Sequence, residues 1–216
     1  MVGTWKLQWI GPDIYWQIRA DGHYRSFGTG ARPNEHWGRM TAAAGRFSSR
    51  WRGGEDGGSY SVDGAVLSTT GKLGRGSWTR LWQPGHGGQS QSNCPLVEAA
   101  VVEEAIGSPV RGRAMPTGCD FHATLAGAGE VRINVLRPTD YPAAMWFERD
   151  RRCLQRLTSK CVAIEVGGIG DRAFLRGQSI TVLKGNTIYR IQRKLSPAPD
   201  DDDTVDLVQL GKAVAR

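Results

Sequence analysis

The side chains best suited to nucleophilic, acid–base or metal chemistry are four histidines, four cysteines and a scatter of carboxylates. His23, His36, His86 and His122 stand far apart, with no His-x-His or His-Glu-x-x-His spacing to hold zinc. His36 beside Glu35, or His86, would give an adventitious metal site at most; surface or half-buried histidines are the expectation. Cys94, Cys119, Cys153 and Cys161 all fall in the second half without a Cys-x-x-Cys pair. Their even number reads as two disulfides in an oxidising compartment, against free thiols in a cytosolic protein. No Gly-x-Ser-x-Gly elbow is present, and no cysteine stands in a setting that lowers a thiol pKa. Asp13, Asp21, Glu35, Asp56 and Asp63 mostly occupy turn sequences, and no spacing selects a carboxylate pair of the kind glycosidases use. Glu55-Asp56, between Gly53-Gly54 and Gly57-Gly58, reads as a turn with too few ligands for an EF-hand loop. Gly167-Gly168-Ile169-Gly170 lacks the following Lys-Ser/Thr and the helix of a phosphate loop, and reads as a tight loop over a sheet. The expectation is therefore no catalytic constellation, no cofactor and no metal.

Composition narrows the class further. The 216 residues carry 28 Lys/Arg against 21 Asp/Glu, a formal charge of +7. The first ninety residues hold 11 basic and 6 acidic side chains. The arginines are scattered, and without a block of five like charges nucleic acid is not expected as a partner. A solvated surface explains most of them; an anionic glycan, lipid head groups or an acidic protein is the sharper alternative. No stretch approaches the roughly 20 apolar residues of a membrane span. Met1 leads almost directly into strand-like sequence at Thr4-Trp5, which suggests a removed export leader and a periplasmic or secreted location.

Residues 4–82 read as short strands separated by glycine turns. Strands are expected at 4–10, 14–18, 23–27, 37–43, 45–51, 59–62, 65–70 and 76–82. Asp21-Gly22 and Asp63-Gly64 mark hairpins. The pattern predicts an antiparallel β meander or small barrel. Seven of the eight tryptophans lie here: Trp5, Trp9, Trp16, Trp37, Trp51, Trp78 and Trp82. Each ring buries roughly 150–250 Å², enough for a few to fill a small β core. Trp5 and Trp9 share strand parity and are expected to face inward together. Gly3-Thr4-Trp5 at the head of a meander resembles the Gly-x-Trp opening of lipocalins and lipocalin-like domains, in which the Trp closes the barrel floor. That resemblance implies a small-molecule or structural barrel rather than an enzyme.

Residues 83–93 contain no apolar side chain and read as a linker. Beyond it, Val97, Ala100, Val101, Ala105 and Ile106 form a helical stripe, with Glu98, Glu103 and Glu104 outside and Gly107 as its stop. A loop is expected over 108–117 and strands over 118–125 and 130–137. A helix is expected over 140–157, capped by Thr139 or Asp140 with Pro142 in its first turn. Further strands are expected near 160–166, 174–175, 179–183 and 187–193. The fold class is thus α+β: the N-terminal barrel followed by a smaller α+β sandwich with an antiparallel sheet. The domain division is 1–83, linker 84–93, 94–195, and a flexible acidic tail over 196–216.

Several short motifs of this half run in order. They are Cys94-Pro95-Leu96; Val102-x-x-Ala105-x-Gly107-x-Pro109-Val110; Gly118-Cys119-x-Phe121; Gly167-Gly168-Ile169-Gly170-Asp171-x-Ala173-Phe174; and a hairpin at Lys184-Gly185-Asn186. Together they are similar to a family of bacterial, chiefly actinobacterial, secreted lipoproteins of unknown function. The resemblance implies an exported α+β domain without established activity, and it implies that Cys94 pairs with Cys119. Cys153 and Cys161 would then lock the second helix to the sheet. No lipobox cysteine stands in this chain.

The reading these features support is an exported binding or accessory protein of the cell envelope. Trp16, Arg32, Trp37, Arg39, Arg50 and Trp51, near strand ends and turns, are the expected contact residues, because aromatics and Arg concentrate at interfaces. The alternatives are a lipocalin-like carrier of a small apolar ligand and an envelope hydrolase acting on glycans.

Overall fold

The computed structural model describes residues 1–29, 36–85, 90–125, 128–152, 162–194 and 204–216. Its first half is eight strands: β1 (Gly3–Leu7), β2 (Ile14–Ile18), β3 (His23–Gly28), β4 (His36–Ala43), β5 (Arg46–Trp51), β6 (Gly54–Asp63), β7 (Val66–Gly71) and β8 (Gly74–Trp82). Each pairs antiparallel with the next, and β8 pairs back on β1, closing a barrel. The meander follows from local turn chemistry. Between β4 and β5, Ala44 and Gly45 take φ of 47° and 72°, the left-handed pair that a tight two-residue hairpin requires. Asp21-Gly22 lies in the β2–β3 turn, and Gly64-Ala65 make the β6–β7 turn, with Asp63 as the last residue of β6 paired with Val66.

Alternation along the strands sends one set of side chains into the lumen. Trp5, Ile18, Tyr24, Met40, Leu67 and Trp78 form its buried core, with Trp16, Trp51 and Tyr60 packed against them. The Trp16 and Trp78 rings stack at 4.1 Å. The Trp5 indole N–H donates to the Met1 carbonyl at 2.7 Å, and the Arg80 guanidinium lies 4.5 Å from the Trp5 ring centroid. An eight-stranded barrel is just wide enough for side chains to fill, and here aromatic rings fill it.

Two local expectations are corrected in the barrel. The glycine-framed Glu55-Asp56 segment is the first part of β6, not a turn. Gly54 and Gly58 lie opposite Trp51 and Phe47, so backbone without side chains faces large rings. A Cβ on Gly58 would meet the Thr70 carbonyl oxygen at 1.8 Å, which explains the glycine there. And β1 ends at Leu7, so Trp9 belongs to the following loop and is 52% exposed instead of facing inward beside Trp5.

The second half is built on an eight-stranded sheet: β9 (Gln91–Ser92), β10 (Val110–Met115), β11 (Gly118–Ala123), β12 (Glu130–Leu136), β13 (Ile164–Val166), β14 (Arg172–Arg176), β15 (Ser179–Lys184) and β16 (Thr187–Lys194), in the spatial order β13-β14-β15-β16-β12-β11-β10-β9. Three helices accompany it: α1 (Ala99–Ile106), α2 (Ala143–Arg151) and α3 (Val205–Val214). The protein is mostly β, with two sheets of equal strand number, so the second sheet is not the smaller one. Nor is that sheet wholly antiparallel, because β9 runs parallel to β10. β9 also lies in sequence expected as linker. β10 replaces an expected loop; its weak signal reflects Gly112, which faces Phe121 so closely that a Cβ would sit 2.5 Å from the ring.

Where a flexible tail was expected, residues 204–216 carry α3, whose Leu207 and Leu210 are fully buried against the sheet. Residues 196–203 lie outside the described set. α2 starts at Ala143 after Pro142, without a cap from Thr139 or Asp140; the Ala143 N–H donates instead to the Asn186 side chain at 3.0 Å. The Cys94–Cys119 disulfide is present and ties the approach to α1 onto β11. Cys153 and Cys161 lie outside the described residues, as do Glu35 and His86.

The barrel and the second sheet share a core. On the barrel's outer wall Tyr15 and Phe27 join Val102 and Ile106 of α1 in one apolar cluster. Polar groups fix the docking. The Thr4 hydroxyl donates to the Gly107 carbonyl at 2.6 Å, and the Trp82 indole N–H donates to Glu103 at 2.9 Å. Glu103 is therefore buried, contrary to its expected place on the outer face of α1, because that helix packs on both sheet and barrel. Gly107 has φ of 70° and no room for a side chain: a Cβ would meet the Gln17 amide at 1.7 Å.

Candidate functional site

The inner face of the second sheet is apolar. Cys119, Phe121, Val131, Ile133, Ile180, Val182 and Ile191 lie under α1 and α3. Period-two alternation sends the intervening residues to the opposite face. Over part of that face α2 packs Ala143 and Phe147 on Phe174, Leu183 and Ile188. The remainder, on β10, β11, β12 and the end of β16, is open and basic. Arg111 and Arg113 are exposed on β10; Arg132, Arg190 and Lys194 stand on the central strands.

At one end of this open face is a groove of about 370 Å³. β12 contributes Glu130 and Arg132, β14 contributes Arg176, the following turn contributes Gln178 and Ser179, and β16 contributes Gln192, Arg193 and Lys194. The side chains of Arg132, Arg176 and Lys194 face Glu130 there, whereas the Arg193 guanidinium is buried on the other face of the sheet and paired with Asp206 at 2.6 Å. Surrounding acids hold the cations in place. Arg132 Nε donates to Asp120 at 2.7 Å across the β11–β12 pair. Arg176 and Arg190 both reach Asp150 of α2, at 3.1 and 2.5 Å. Lys194 lies 3.7 Å from Glu130. The hydrogen bond that Arg132 donates to Asp120 raises the Arg132 pKa further, so this guanidinium keeps its charge at any working pH. On α2, hydrogen bonds from Arg151 and Arg172 hold the Glu148 carboxyl below its ordinary range.

Guanidinium forks, an ammonium, two side-chain amides and a hydroxyl can bind carboxylate or phosphate oxygens at several points. The arrangement suits binding of anions better than bond cleavage. Among the described residues, no three His, Cys, Asp or Glu gather as metal ligands.

The residues singled out by composition do not share one surface. Trp16 lies inside the barrel against Trp78, and Trp51 stacks on His36 at 4.6 Å with its ring on the lumen side. Trp37 is buried on the outer wall beside Arg25, whose guanidinium also stacks 4.2 Å from the Phe27 ring. Arg39 and Arg50 are exposed cross-strand neighbours on that outer wall. Arg32 lies outside the described residues.

No protein-family model, curated protein or solved structure matches the chain. The groove therefore stands on its own chemistry. Its residues were findable: in 130–136 and 187–194 the apolar side chains alternate with Glu130, Arg132, Arg190, Gln192 and Lys194, which places the latter on one face.

Proposed function

We propose that this chain is a non-catalytic binding or accessory protein, exported to the periplasm or beyond, that holds an anionic glycan or a similarly acidic partner on the open face of its second sheet. The observation that carries the reading is the groove itself, with the Arg132, Arg176 and Lys194 side chains against Glu130 and a wide opening to solvent. The Cys94–Cys119 bridge supports an oxidising compartment. Among the described residues, no helix is long and apolar enough to cross a membrane. The barrel acts as a brace: its lumen is occupied by Trp5, Trp16 and Trp78, which weighs against a carrier of apolar ligands. A groove with a single carboxylate weighs against a glycan hydrolase.

Titration calorimetry with an oligogalacturonate probe tests the proposal. Wild-type protein should bind, and affinity should fall as salt rises because exposed charges are screened. The double substitution Arg132→Ala with Lys194→Ala should weaken binding at least tenfold, while Arg50→Ala on the barrel should leave it unchanged. Equal binding by the double variant, or no binding by wild type to any carboxylated or phosphorylated polymer tried, would refute it.

A further inference from the structure

One rim of the barrel carries apolar side chains that nothing in the fold uses. The β1–β2 loop exposes Trp9 at 52% and Ile10 completely, and the β7–β8 turn exposes Leu73 at 70%. These two connections are neighbours on the rim, because β8 is hydrogen-bonded to β1. The Gln8 N–H donates to the Ser77 carbonyl at 2.7 Å, fastening the first loop to β8. Both connections are held firmly. The Trp9 indole N–H donates to the Pro12 carbonyl at 2.8 Å, and the Leu73 N–H donates to the lumen-facing Asp56 at 3.3 Å. The apolar tips are thus presented on fixed backbone.

Around them the charge is basic. Lys6, Arg50, Arg52, Lys72 and Arg75 lie at this end, against Asp13 and Glu55 as the exposed acids among the described residues. Asp13 pairs with Lys6 at 2.7 Å and Glu55 with Lys72 at 2.5 Å, while Arg52 and Arg75 are exposed at the β5–β6 and β7–β8 turns. An indole with its N–H occupied, two aliphatic tips and a collar of cations match the interfacial zone of an anionic bilayer. There, apolar side chains enter the acyl boundary and Lys/Arg meet phosphate head groups.

We infer that this rim docks the protein on the surface of a membrane containing anionic lipid, with Trp9, Ile10 and Leu73 inserted and Arg52 and Arg75 on the head groups. The inference is independent of the groove on the second sheet, which lies in the other half of the fold.

Vesicle co-sedimentation tests it, using phosphatidylglycerol–phosphatidylcholine vesicles and phosphatidylcholine alone. Wild type should bind the mixed vesicles and bind the neutral ones at least tenfold more weakly. Ile10→Ser with Leu73→Ser should lose roughly tenfold per residue on the mixed vesicles. Arg52→Glu with Arg75→Glu should lose the preference for anionic lipid. All four positions are exposed, so an unchanged thermal midpoint verifies that each variant is folded. Absence of wild-type binding, or binding by the Ile10/Leu73 variant equal to wild type, overturns the inference. So does sedimentation equilibrium showing a wild-type dimer that the same variant dissolves, which would assign the rim to self-association.

Discussion

Glu103, on the helix that opens the second unit, accepts the indole N–H of Trp82, the last residue of the barrel, at 2.9 Å in a buried setting. The contact ties the end of one structural unit to the start of the other. Glu103→Ala removes the acceptor of that N–H and should destabilise the protein by about 1–3 kcal/mol. Glu103→Gln keeps an acceptor of the same reach and should cost less. Urea denaturation of the two variants checks the order; a Gln variant as unstable as the Ala variant would mean that the charge, not the hydrogen bond, matters.

Asp206 faces two arginines from different parts of the fold. One oxygen lies 2.7 Å from Arg19 at the end of the barrel strand β2, the other 2.6 Å from Arg193 on β16. Arg193 and Asp206 are almost wholly buried. Asp206→Ala takes the carboxylate away from buried cations, a change that costs about 3–5 kcal/mol. Hydrogen exchange should also rise in the turn at 19–22 as the barrel loosens from α3. A variant with wild-type denaturation and wild-type exchange would contradict the role given to this residue.

A lumen tryptophan and a rim tryptophan play different parts. Trp78→Ala opens a cavity beneath Trp16 and should cost about 3–5 kcal/mol. Trp9→Ser, on an exposed loop, should shift stability by no more than about 0.5 kcal/mol. Thermal melts of the two variants separate packing from surface.

His36 gives the barrel a pH dependence. Burial lowers its pKa, and its ring is stacked on Trp51 and set edge-on to Tyr24. In the unfolded chain the imidazole titrates near its ordinary value of about 6.5. Between that value and the lowered folded one, the unfolded state binds more protons, so stability rises with pH across this window and is lost as pH falls through it. The urea midpoint should therefore drop between pH 7.5 and 5.5, and His36→Gln should flatten that drop. An identical slope in the variant would assign the dependence to other groups.

The disulfide closes a span of 25 residues. In the chain-entropy account, removing such a loop constraint costs about 3 kcal/mol. Replacing Cys94 and Cys119 together by Ala should lower the denaturation midpoint accordingly. A non-reducing peptide map should recover the 94–119 pair from wild-type protein.

The strongly local features of the fold were legible in the residues. Asp21-Gly22 and Asp63-Gly64 dictate turns whatever lies around them, and Gly107 stops α1 because only glycine fits its left-handed backbone beside Gln17. What failed depended on distant partners. Gly54 and Gly58 look like turn residues until the rings of Trp51 and Phe47 stand opposite them. Glu103 looks solvated until the barrel supplies Trp82. The segment at 204–216 sits beside an acidic, proline-bearing stretch that suggests disorder, yet Leu207 and Leu210 find a complete apolar site on the sheet. The candidate site lies away from the arginines and tryptophans of the first half, because interface-prone residue types there serve the barrel's lumen and outer wall. Alternation in the second half, which places Arg132 and Lys194 on one face, was the more informative signal.

Closure of the barrel through the β1–β8 seam gives every described strand of that half a partner on both sides. Among the described residues, the margin strands left for backbone pairing with another chain are β13, with three residues, and β9, with two, at the edges of the second sheet. Short margins are poor templates for cross-molecular ladders. A chain built chiefly of strands thus offers little purchase for fibril growth while folded, and a segment added by strand complementation would have to seat on one of those two margins.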